Sequence, residues 1–159
     1  MTVRSDIRDA VDALLVAAGT SAGTNIYQHR NLALEDALLP AINLQTLSET
    51  SSPLTMGMSS GLLERDLLLR IEGYYKSSAT EGQSGEEDAI LTALEDLAAD
   101  IEVAMAADVT LGGKAKDSYL SSTEIESDAD GSVANEVGVI TLEYMVKYHT
   151  TRDTPATPI

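Results

Sequence analysis

Two segments of the chain carry apolar residues at the spacing of an α-helix. In the first, charged residues separate the apolar ones, and Gly19 follows the last of them. In the second, Ser84 and Glu87 stand three residues apart and form a capping-box sequence ahead of the apolar stripe. The two stripes predict two amphipathic helices that each bury one face. Their members are Val3, Ile7, Val11, Leu14 and Ala18 in the first segment, and Ile90, Leu94, Leu97, Ile101 and Met105 in the second.

Elsewhere apolar and polar residues alternate, which is the pattern of a half-buried β-strand. The alternation is clearest at 64–76 and 137–150, and it also predicts strands at 39–47 and 117–126, with a shorter candidate within 24–30. Ser, Thr, Gly and Pro are common between the strands at 39–47 and 64–76. We therefore predict a hairpin whose long tip protrudes at residues 50–61.

The composition indicates one domain with an aliphatic core. The 159 residues include six Tyr but no Trp and no Phe. Because there are no cysteines, disulfides, thiol catalysis and thiolate metal ligands are excluded. No apolar run approaches the about 18 residues of a membrane span, and the charged N-terminus does not fit a signal peptide. We expect a domain over residues 1–150, made in a cytoplasm, followed by an extended C-terminal arm at 151–159.

Acidic residues give the chain a net charge of −16, and they are concentrated in its second half. Residues 1–79 carry a net charge of −3, whereas residues 80–159 carry −13. Asp88, Glu95 and Glu102 are seven residues apart and lie opposite the apolar stripe of the second helix. This sign of charge disfavours binding to nucleic-acid phosphates. The acidic face is either an ordinary solvated surface or a wall along which DNA passes without sticking.

Residues 57–61 read GMSSG and match the G-x-S-x-G pattern of a hydrolase nucleophile elbow. That elbow needs a strand directly before Ser59 and a helix directly after it. Here a Ser/Thr/Pro stretch precedes the motif, a predicted strand follows it, and His149 is the only histidine C-terminal to it. We expect a loop, no catalytic residue and no enzyme activity. The candidate partner contacts in this tip are Pro53, Leu54, Met56 and Met58, since exposed methionine adapts to irregular surfaces.

Three further motifs resemble ligand sites, and each departs from its pattern. In ESDADG at 126–131, the residues at EF-hand positions one, three, five and six are Glu126, Asp128, Asp130 and Gly131. Position twelve is Val137 instead of glutamate, so adventitious calcium and a plain acidic turn both stay open. The segment around Lys114 has two glycines but lacks the spacing of a phosphate loop. His29 and His149 are expected at the surface near strand ends. We expect no bound metal and no cofactor.

Four segments resemble the tail-terminator family of long-tailed bacteriophages, which are small proteins that cap the tail tube. They are IRDAVDALL at 7–15, LPAINLQTLSE at 39–49, ERDLLLRIEGYYK at 64–76 and VITLEYMVKYHT at 139–150. The resemblance covers nearly the whole chain. It implies an α+β fold with two helices on one face of a mainly antiparallel or mixed sheet, and it implies no catalytic residues.

The resemblance also implies a hexameric ring that caps the tail tube, stops its polymerisation and offers a joining surface to the head. The partners would be other copies of the chain, the tail tube protein and a head-completion or neck protein. DNA would pass through the ring without specific binding, no membrane would be involved, and the location would be the top of the virion tail after assembly in the host cytoplasm. The alternatives are another head-to-tail connector or neck protein, and a small hydrolase or ligand-binding domain.

With helices on one face only, the opposite face of the sheet lacks a cover of its own. Leu68, Tyr74, Val139 and Met145 alternate onto that opposite side. Apolar residues on an uncovered face indicate a partner surface. Tyr74 and Met145 therefore join the tip residues as candidate interface positions.

Overall fold

The computed structural model describes residues 2–30, 38–76, 86–127 and 137–159, and its elements follow the predicted order. The elements are α1 (Val3–Ala18), β1 (Ile26–Gln28), β2 (Ala41–Pro53), β3 (Leu62–Lys76), α2 (Glu86–Ala107), β4 (Asp117–Ser127) and β5 (Val137–Thr151). The strands form one sheet in the order β1-β2-β3-β5-β4. β1 is parallel to β2, and the other neighbours are antiparallel. The predicted α+β fold is confirmed.

Helix α1 is capped at both ends by the residues that its sequence supplies. The amide of Thr2 donates to the hydroxyl of Ser5, and the amide of Ser5 donates to the hydroxyl of Thr2. These two bonds form a capping box. At the other end Gly19 has φ 65°, the left-handed conformation, and its amide donates to the carbonyl of Val16. The helix therefore ends where the glycine predicts.

The buried stripe of α1 differs from the predicted one at its C-terminal end. Leu15 is fully buried, whereas Leu14 is partly buried and Ala18 is exposed. The buried positions recur every four residues. Because the helix has 3.6 residues per turn, this spacing shifts gradually around the helix axis, so Leu15 faces the core instead of Leu14. The buried residues are Val3, Ile7, Val11 and Leu15.

The buried side chains form one core between the helices and the sheet. Over most of β3 and all of β5 every second residue is buried or nearly so, as the alternation predicts. The apolar stripe predicted for α2 is buried along its whole length. Both helices contribute to the same cluster, so they lie on one face of the sheet. Neither described helix is long and apolar enough to cross a membrane.

Helix α2 lies close to the sheet because two strand residues beneath it are glycines. A Cβ atom on Gly138 would lie 2.7 Å from both Ile90 Cγ2 and Leu94 Cδ1. A Cβ atom on Gly73 would lie 2.7 Å from Leu97 Cδ2. Side chains from successive turns of α2 thus occupy space that strand side chains would otherwise fill. A larger residue at either position would force buried side chains to move, at a cost of about 1–3 kcal/mol.

The β2–β3 hairpin is longer than the sequence predicts. Pairing runs from Ala41 opposite Tyr74 to Pro53 opposite Leu63, so β2 continues six residues beyond the predicted end at 47. The Ser/Thr stretch of β2 was interpreted as loop, but its backbone is held by pairing with β3, and strand propensity depends strongly on such context. Pro53 stands at the last paired position, where its missing N–H costs least. The connecting loop, called the tip below, is residues 54–61.

Residues 151–159 turn back instead of forming the extended arm that we expected. The amide of Arg152 donates to the carbonyl of Gly61 at 3.0 Å, and the amide of Ile159 donates to the carbonyl of His149 at 3.1 Å. A further turn bond joins the amide of Thr157 to the carbonyl of Thr154. These backbone bonds hold the C-terminal residues against the end of β5 and the base of the tip.

Beyond the first turn of α1, the helix-covered face of the sheet becomes polar around Glu49. The carboxylate of Glu49 on β2 accepts hydrogen bonds from Arg4 Nε and Nη2 at 2.9 Å each, and from Arg65 Nη1 at 2.6 Å. It also accepts a hydrogen bond from the hydroxyl of Tyr148 on β5. Arg65 in turn donates from Nε to Thr150 Oγ1 at 2.9 Å. One carboxylate therefore connects α1, β2, β3 and β5 at the base of the projecting hairpin.

The cluster strongly favours the ionised form of Glu49. Burial alone would raise the pKa of Glu49, but the hydrogen bonds from Arg4, Tyr148 and Arg65 outweigh it and hold the pKa at about 2. Burial and the hydrogen bond to Glu49 also raise the pKa of Tyr148 to about 12. The Glu49 side chain is only 9% exposed, so water replaces little of this network.

We predict that the Glu49 cluster makes the free energy of unfolding fall as pH drops from about 4.5 toward about 2. In the unfolded chain Glu49 titrates near 4.5, and in the folded chain near 2, so between these values the unfolded state binds the proton preferentially. The difference corresponds to about 3 kcal/mol, present above the unfolded pKa and lost below the folded one.

Urea unfolding followed by circular dichroism across this pH range measures the effect. Glu49→Gln is expected to be less stable at neutral pH and to show a flatter dependence on pH than the unchanged protein. Glu64→Gln is the matched control, because Glu64 is a strand carboxylate with a single, longer ion pair to His149. Equal pH slopes for Glu49→Gln and the unchanged protein would contradict the prediction.

Candidate partner interface

The tip carries exposed apolar side chains and no charged residue. Leu54 is 48% exposed, Met56 is 83% exposed and Met58 is 60% exposed. Pro53, the last residue of β2, is exposed beside them. None of the eight residues of the tip is Asp, Glu, Lys or Arg. These side chains are not part of the buried core, and their exposure agrees with a contact role.

The tip is shaped by hydrogen bonds of its own. The amide of Leu62 donates to Thr55 Oγ1 at 2.7 Å, and the amide of Gly61 donates to the carbonyl of Met58 at 3.1 Å. Arg152 Nη2 donates to the carbonyl of Thr55 at 3.3 Å. A contact made by this loop therefore starts from a preformed turn.

Ser59 lies in this turn and is exposed. The elements on its two sides are the strands β2 and β3, so the strand-turn-helix geometry of a nucleophile elbow does not occur at GMSSG. His149 Nε2 lies 3.6 Å from Glu64 Oε2, within a cross-strand pair of β5 and β3. Neither residue is placed as the sequence motif would require for acyl transfer.

The face of the sheet opposite the helices carries a row of cross-strand ion pairs. Arg70 Nη2 lies 2.8 Å from Glu143 Oε1, and Lys147 Nζ lies 3.3 Å from Asp66 Oδ1. The apolar residues predicted for this face, Leu68, Tyr74, Val139 and Met145, are half-buried between the charged ones. Sequence reasoning missed the pairs because the register that brings β3 and β5 residues opposite one another is not visible in one strand alone.

Glu72 is the centre of a second polar group on the sheet face opposite the helices, where Asn43 is only 2% exposed. Its Oε2 accepts hydrogen bonds from Asn43 Nδ2 and Gln45 Nε2 at 3.2 Å each, and from the hydroxyl of Tyr74 at 3.0 Å. Burial and the neighbouring Glu72 raise the pKa of Tyr74 to about 12, so this hydroxyl stays protonated and donates. The hydrogen bond to Glu72 thus holds the Tyr74 side chain in place.

The predicted interface residues fall into two separate regions. Tyr74 pairs with Ala41 at one end of the hairpin, whereas Pro53 pairs with Leu63 next to the tip. Leu63 and Tyr74 are eleven steps apart along β3, which is about 36 Å at the usual strand rise. Met145 lies between these ends, opposite Leu68. One small partner patch cannot include the tip and Tyr74 together.

The acidic face of α2 is exposed where its side chains are described. Glu95 and Glu102 are exposed, and within the described ranges neither forms an ion pair. The side chain of Asp88 lies outside the described residues. Burial and, secondarily, Glu102 raise the pKa of Tyr144 to about 12, so Glu102 lies on the flank of α2 near β5. Val103 beside it is 72% exposed. Whether this face meets DNA stays a prediction.

His29 acts as a hydrogen-bond acceptor in the fold. Its Nε2 lies 2.9 Å from Arg8 Nη1 and 2.9 Å from Thr46 Oγ1. Arginine can only donate, so Nε2 accepts and the ring proton resides on Nδ1. Burial and the neighbouring Arg8 lower the pKa of His29, which keeps the imidazole neutral. The Nε2 lone pair, which a catalytic base would need to accept a proton, is therefore already used in hydrogen bonds.

In the glycine segment near Lys114, backbone amides bind the carboxylate of Asp108. Asp108 accepts hydrogen bonds from the amide of Thr110 at 3.0 Å and from the amide of Gly112 at 2.7 Å. The amides that a phosphate loop would offer are thus satisfied internally. In the calcium candidate, Glu126 is exposed, while Asp128, Asp130 and Gly131 lie outside the described residues. Among the residues that are described, no group of three or more His, Asp or Glu could hold a metal ion.

A cleft of about 470 Å³ lies on the helix side of the hairpin base. Leu47, Ser51 and Leu67 line it, together with Arg4, Arg65 and Glu49 of the polar cluster. Pairing skips Leu47 between Thr46 and Ser48, and such a bulge redirects the side chain, which here is 40% exposed. We call this region the Glu49 cleft. The sequence alone gave no sign of it.

The chain was compared with protein families, curated sequences and solved structures. No protein-family model and no curated protein sequence matches the chain. Among solved structures, it is similar to a chain from the virion of a native gene transfer agent particle, with a TM-score of 0.38 and 12% sequence identity. The match covers 94% of this chain and 92% of that chain.

Proposed function

We propose that this protein is a structural component of a phage tail that forms a ring on the end of the tail tube, stops tube polymerisation and provides the joining surface for the head. The proposal begins with the sequence resemblance at 7–15, 39–49, 64–76 and 139–150. The observation that carries it in the fold is the projecting hairpin, whose uncharged tip exposes Met56 and Met58 on an otherwise acidic chain.

The distribution of contact surfaces supports assembly with more than one neighbour. The tip lies at one end of the hairpin, and half-buried Tyr74 and Met145 lie on the sheet face opposite the helices, toward the other end. Two different surfaces on one subunit permit head-to-tail contacts, and head-to-tail contacts close into rings when the rotation between subunits allows it. A capping ring needs both lateral contacts and a contact along the tube axis.

The acidic face of α2 suits the passage of DNA through such a ring. Glu95 and Glu102 are exposed and have no cationic partner among the described residues. Phosphates are repelled by such a surface and do not condense on it. The protein would therefore let DNA pass without holding it.

The alternatives differ in their support. Another head-to-tail connector or neck protein would use the same kinds of surface, and it differs only in which tail or head component it binds. A small hydrolase has less support, because Ser59 lies between two strands and His29 is occupied as an acceptor. The experiments below separate these functions.

We predict a hexamer on tube ends. Light scattering and negative-stain electron microscopy of the purified protein, alone and mixed with tube protein from the same genome, are expected to show a ring. Its mass would be near six times the 16.8 kDa chain. Deleting the gene is expected to give tails of uncontrolled length that do not join heads. A protein that stays monomeric and never binds a tube end would overturn the proposal, whereas binding to the head side alone would favour a connector.

We predict that the tip, and not Ser59, is needed for this role. Replacing residues 55–60 with a short Gly-Ser turn leaves β2 and β3 paired up to Pro53 and Leu63. This variant is expected to fold but to lose capping or head joining. Ser59→Ala serves as the matched control and is expected to behave as the unchanged protein. Thermal unfolding checks the fold and tail assembly checks the function. Loss of function from Ser59→Ala alone would favour a hydrolase.

We predict that replacing Asp88, Glu95 and Glu102 with lysine slows DNA passage a few-fold while the fold stays intact, because cations on this face would hold phosphates. Genome delivery from virions carrying the triple variant measures the effect. The matched control places three lysines at the exposed β4 positions Asp117, Glu124 and Glu126, which changes net charge equally. Equal delivery by both variants would reduce the α2 face to a solvated surface.

A further inference from the structure

The tip and the Glu49 cleft are two parts of this chain's surface where a second copy can approach without placing carboxylates together. The whole chain carries a net charge of −16, so two copies repel each other over most orientations. The tip contains no charged residue. In the cleft, the single carboxylate of Glu49 faces two guanidinium groups, Arg4 and Arg65, which leaves a net positive charge.

The cleft also offers the chemistry that the tip can use. Leu47 is 40% exposed in it, and exposed methionine packs well against such irregular apolar surface. The Arg4 side chain is 51% exposed although its Nε and Nη2 donate to Glu49, so part of the guanidinium group faces solvent. Hydroxyl and carbonyl oxygens of the tip could accept from it. The volume of about 470 Å³ falls within the about 300–1,000 Å³ of pockets that bury small ligands, so the cleft has room for one or two side chains.

The tip of a given copy cannot reach its own cleft. Five residues of extended strand separate Glu49 from Leu54, which is about 16 Å at the usual strand rise. Pairing with β3 and then β5 keeps this part of the hairpin straight. A contact between tip and cleft therefore joins two copies, and because the two surfaces differ, it propagates from subunit to subunit around a ring.

We infer that the tip of one subunit docks in the Glu49 cleft of the next, with Met56 against Leu47 and the tip oxygens near Arg4. This inference rests on the proposed ring and assigns its lateral contact. Because the turn of the tip is already formed by the bonds to Thr55, Met58 and Arg152, docking orders few residues and loses little conformational entropy.

Cysteine cross-linking tests the contact directly, since the chain contains no cysteine. Met56→Cys protein and Ser51→Cys protein, carrying different affinity tags, are mixed and treated with the mild oxidant diamide. Ser51 pairs with Arg65 and lines the cleft. The matched control mixes Met56→Cys with Val103→Cys, which puts the second thiol on the 72% exposed position of α2. We expect the Met56–Ser51 heterodisulfide to exceed the control by about tenfold or more, because docking raises the effective concentration of the two thiols.

A charge variant gives an independent readout. Met56→Lys and Leu47→Lys each place a cation in the contact beside Arg4 and Arg65, and they are expected to abolish rings in light scattering while leaving thermal unfolding unchanged. Val103→Lys makes the same charge change outside the contact and is expected to keep the rings.

The outcomes separate this inference from the proposed function. Rings without a heterodisulfide above the control, on free protein and on capped tubes, would overturn the docking while the ring itself stands. Preferential Met56→Cys homodimers would indicate a tip-to-tip contact, and cross-linking of the tip to the tube protein instead would indicate an axial role; either result overturns the inference. The absence of any ring, alone or on tubes, would overturn both proposals.

Discussion

The shape of the molecule depends on the hydrogen bonds that the ionised carboxylate of Glu49 accepts. It lies where α1 begins and where the sheet leaves the cover of the helices, and it accepts hydrogen bonds from Arg4, Arg65 and Tyr148. The Glu49 side chain is only 9% exposed, so removing one of its partners leaves a charged group with an unsatisfied hydrogen bond, which costs more than an exposed ion pair contributes. The hairpin is therefore anchored to α1 and β5 by charge and hydrogen bonding beyond the apolar core.

Much of the fold was predictable because it follows from periodicity. The alternation in β3 and β5 and the stripe of α2 are local patterns, and each matches the burial of its residues. The departures occur where context outweighs local sequence. Leu15 replaces Leu14 in the core, since helix rotation decides between neighbours. β2 continues through a Ser/Thr stretch because β3 pairs with it, and the C-terminal residues turn back because Gly61 and His149 supply acceptors.

The candidate interface was predictable only in part. Exposed apolar residues in a polar loop can be recognised from sequence, and Met56 and Met58 are exposed. The Glu49 cluster could not be recognised, because its four members lie up to 144 residues apart and none has a distinctive neighbourhood. The cross-strand pairs of Arg70 with Glu143 and Lys147 with Asp66 need the register, which depends on the whole sheet. Long-range polar contacts of this kind carry no periodic signal.

The anchoring at Glu49 and the exposure at the tip have a common consequence for assembly. Copies of an acidic chain repel one another. Apolar contact area is therefore most accessible to a second copy where it lies away from most of the carboxylates. The β2–β3 hairpin, with β5 paired alongside β3, presents such area at low entropic cost. Its direction is already fixed by the core and by the Glu49 cluster at its base. Met56 and Met58 are largely exposed and are not part of the buried core of their own subunit. In the proposed ring another subunit covers them, and the stiffness of the hairpin limits that subunit to one lying about a strand's length from the Glu49 cluster.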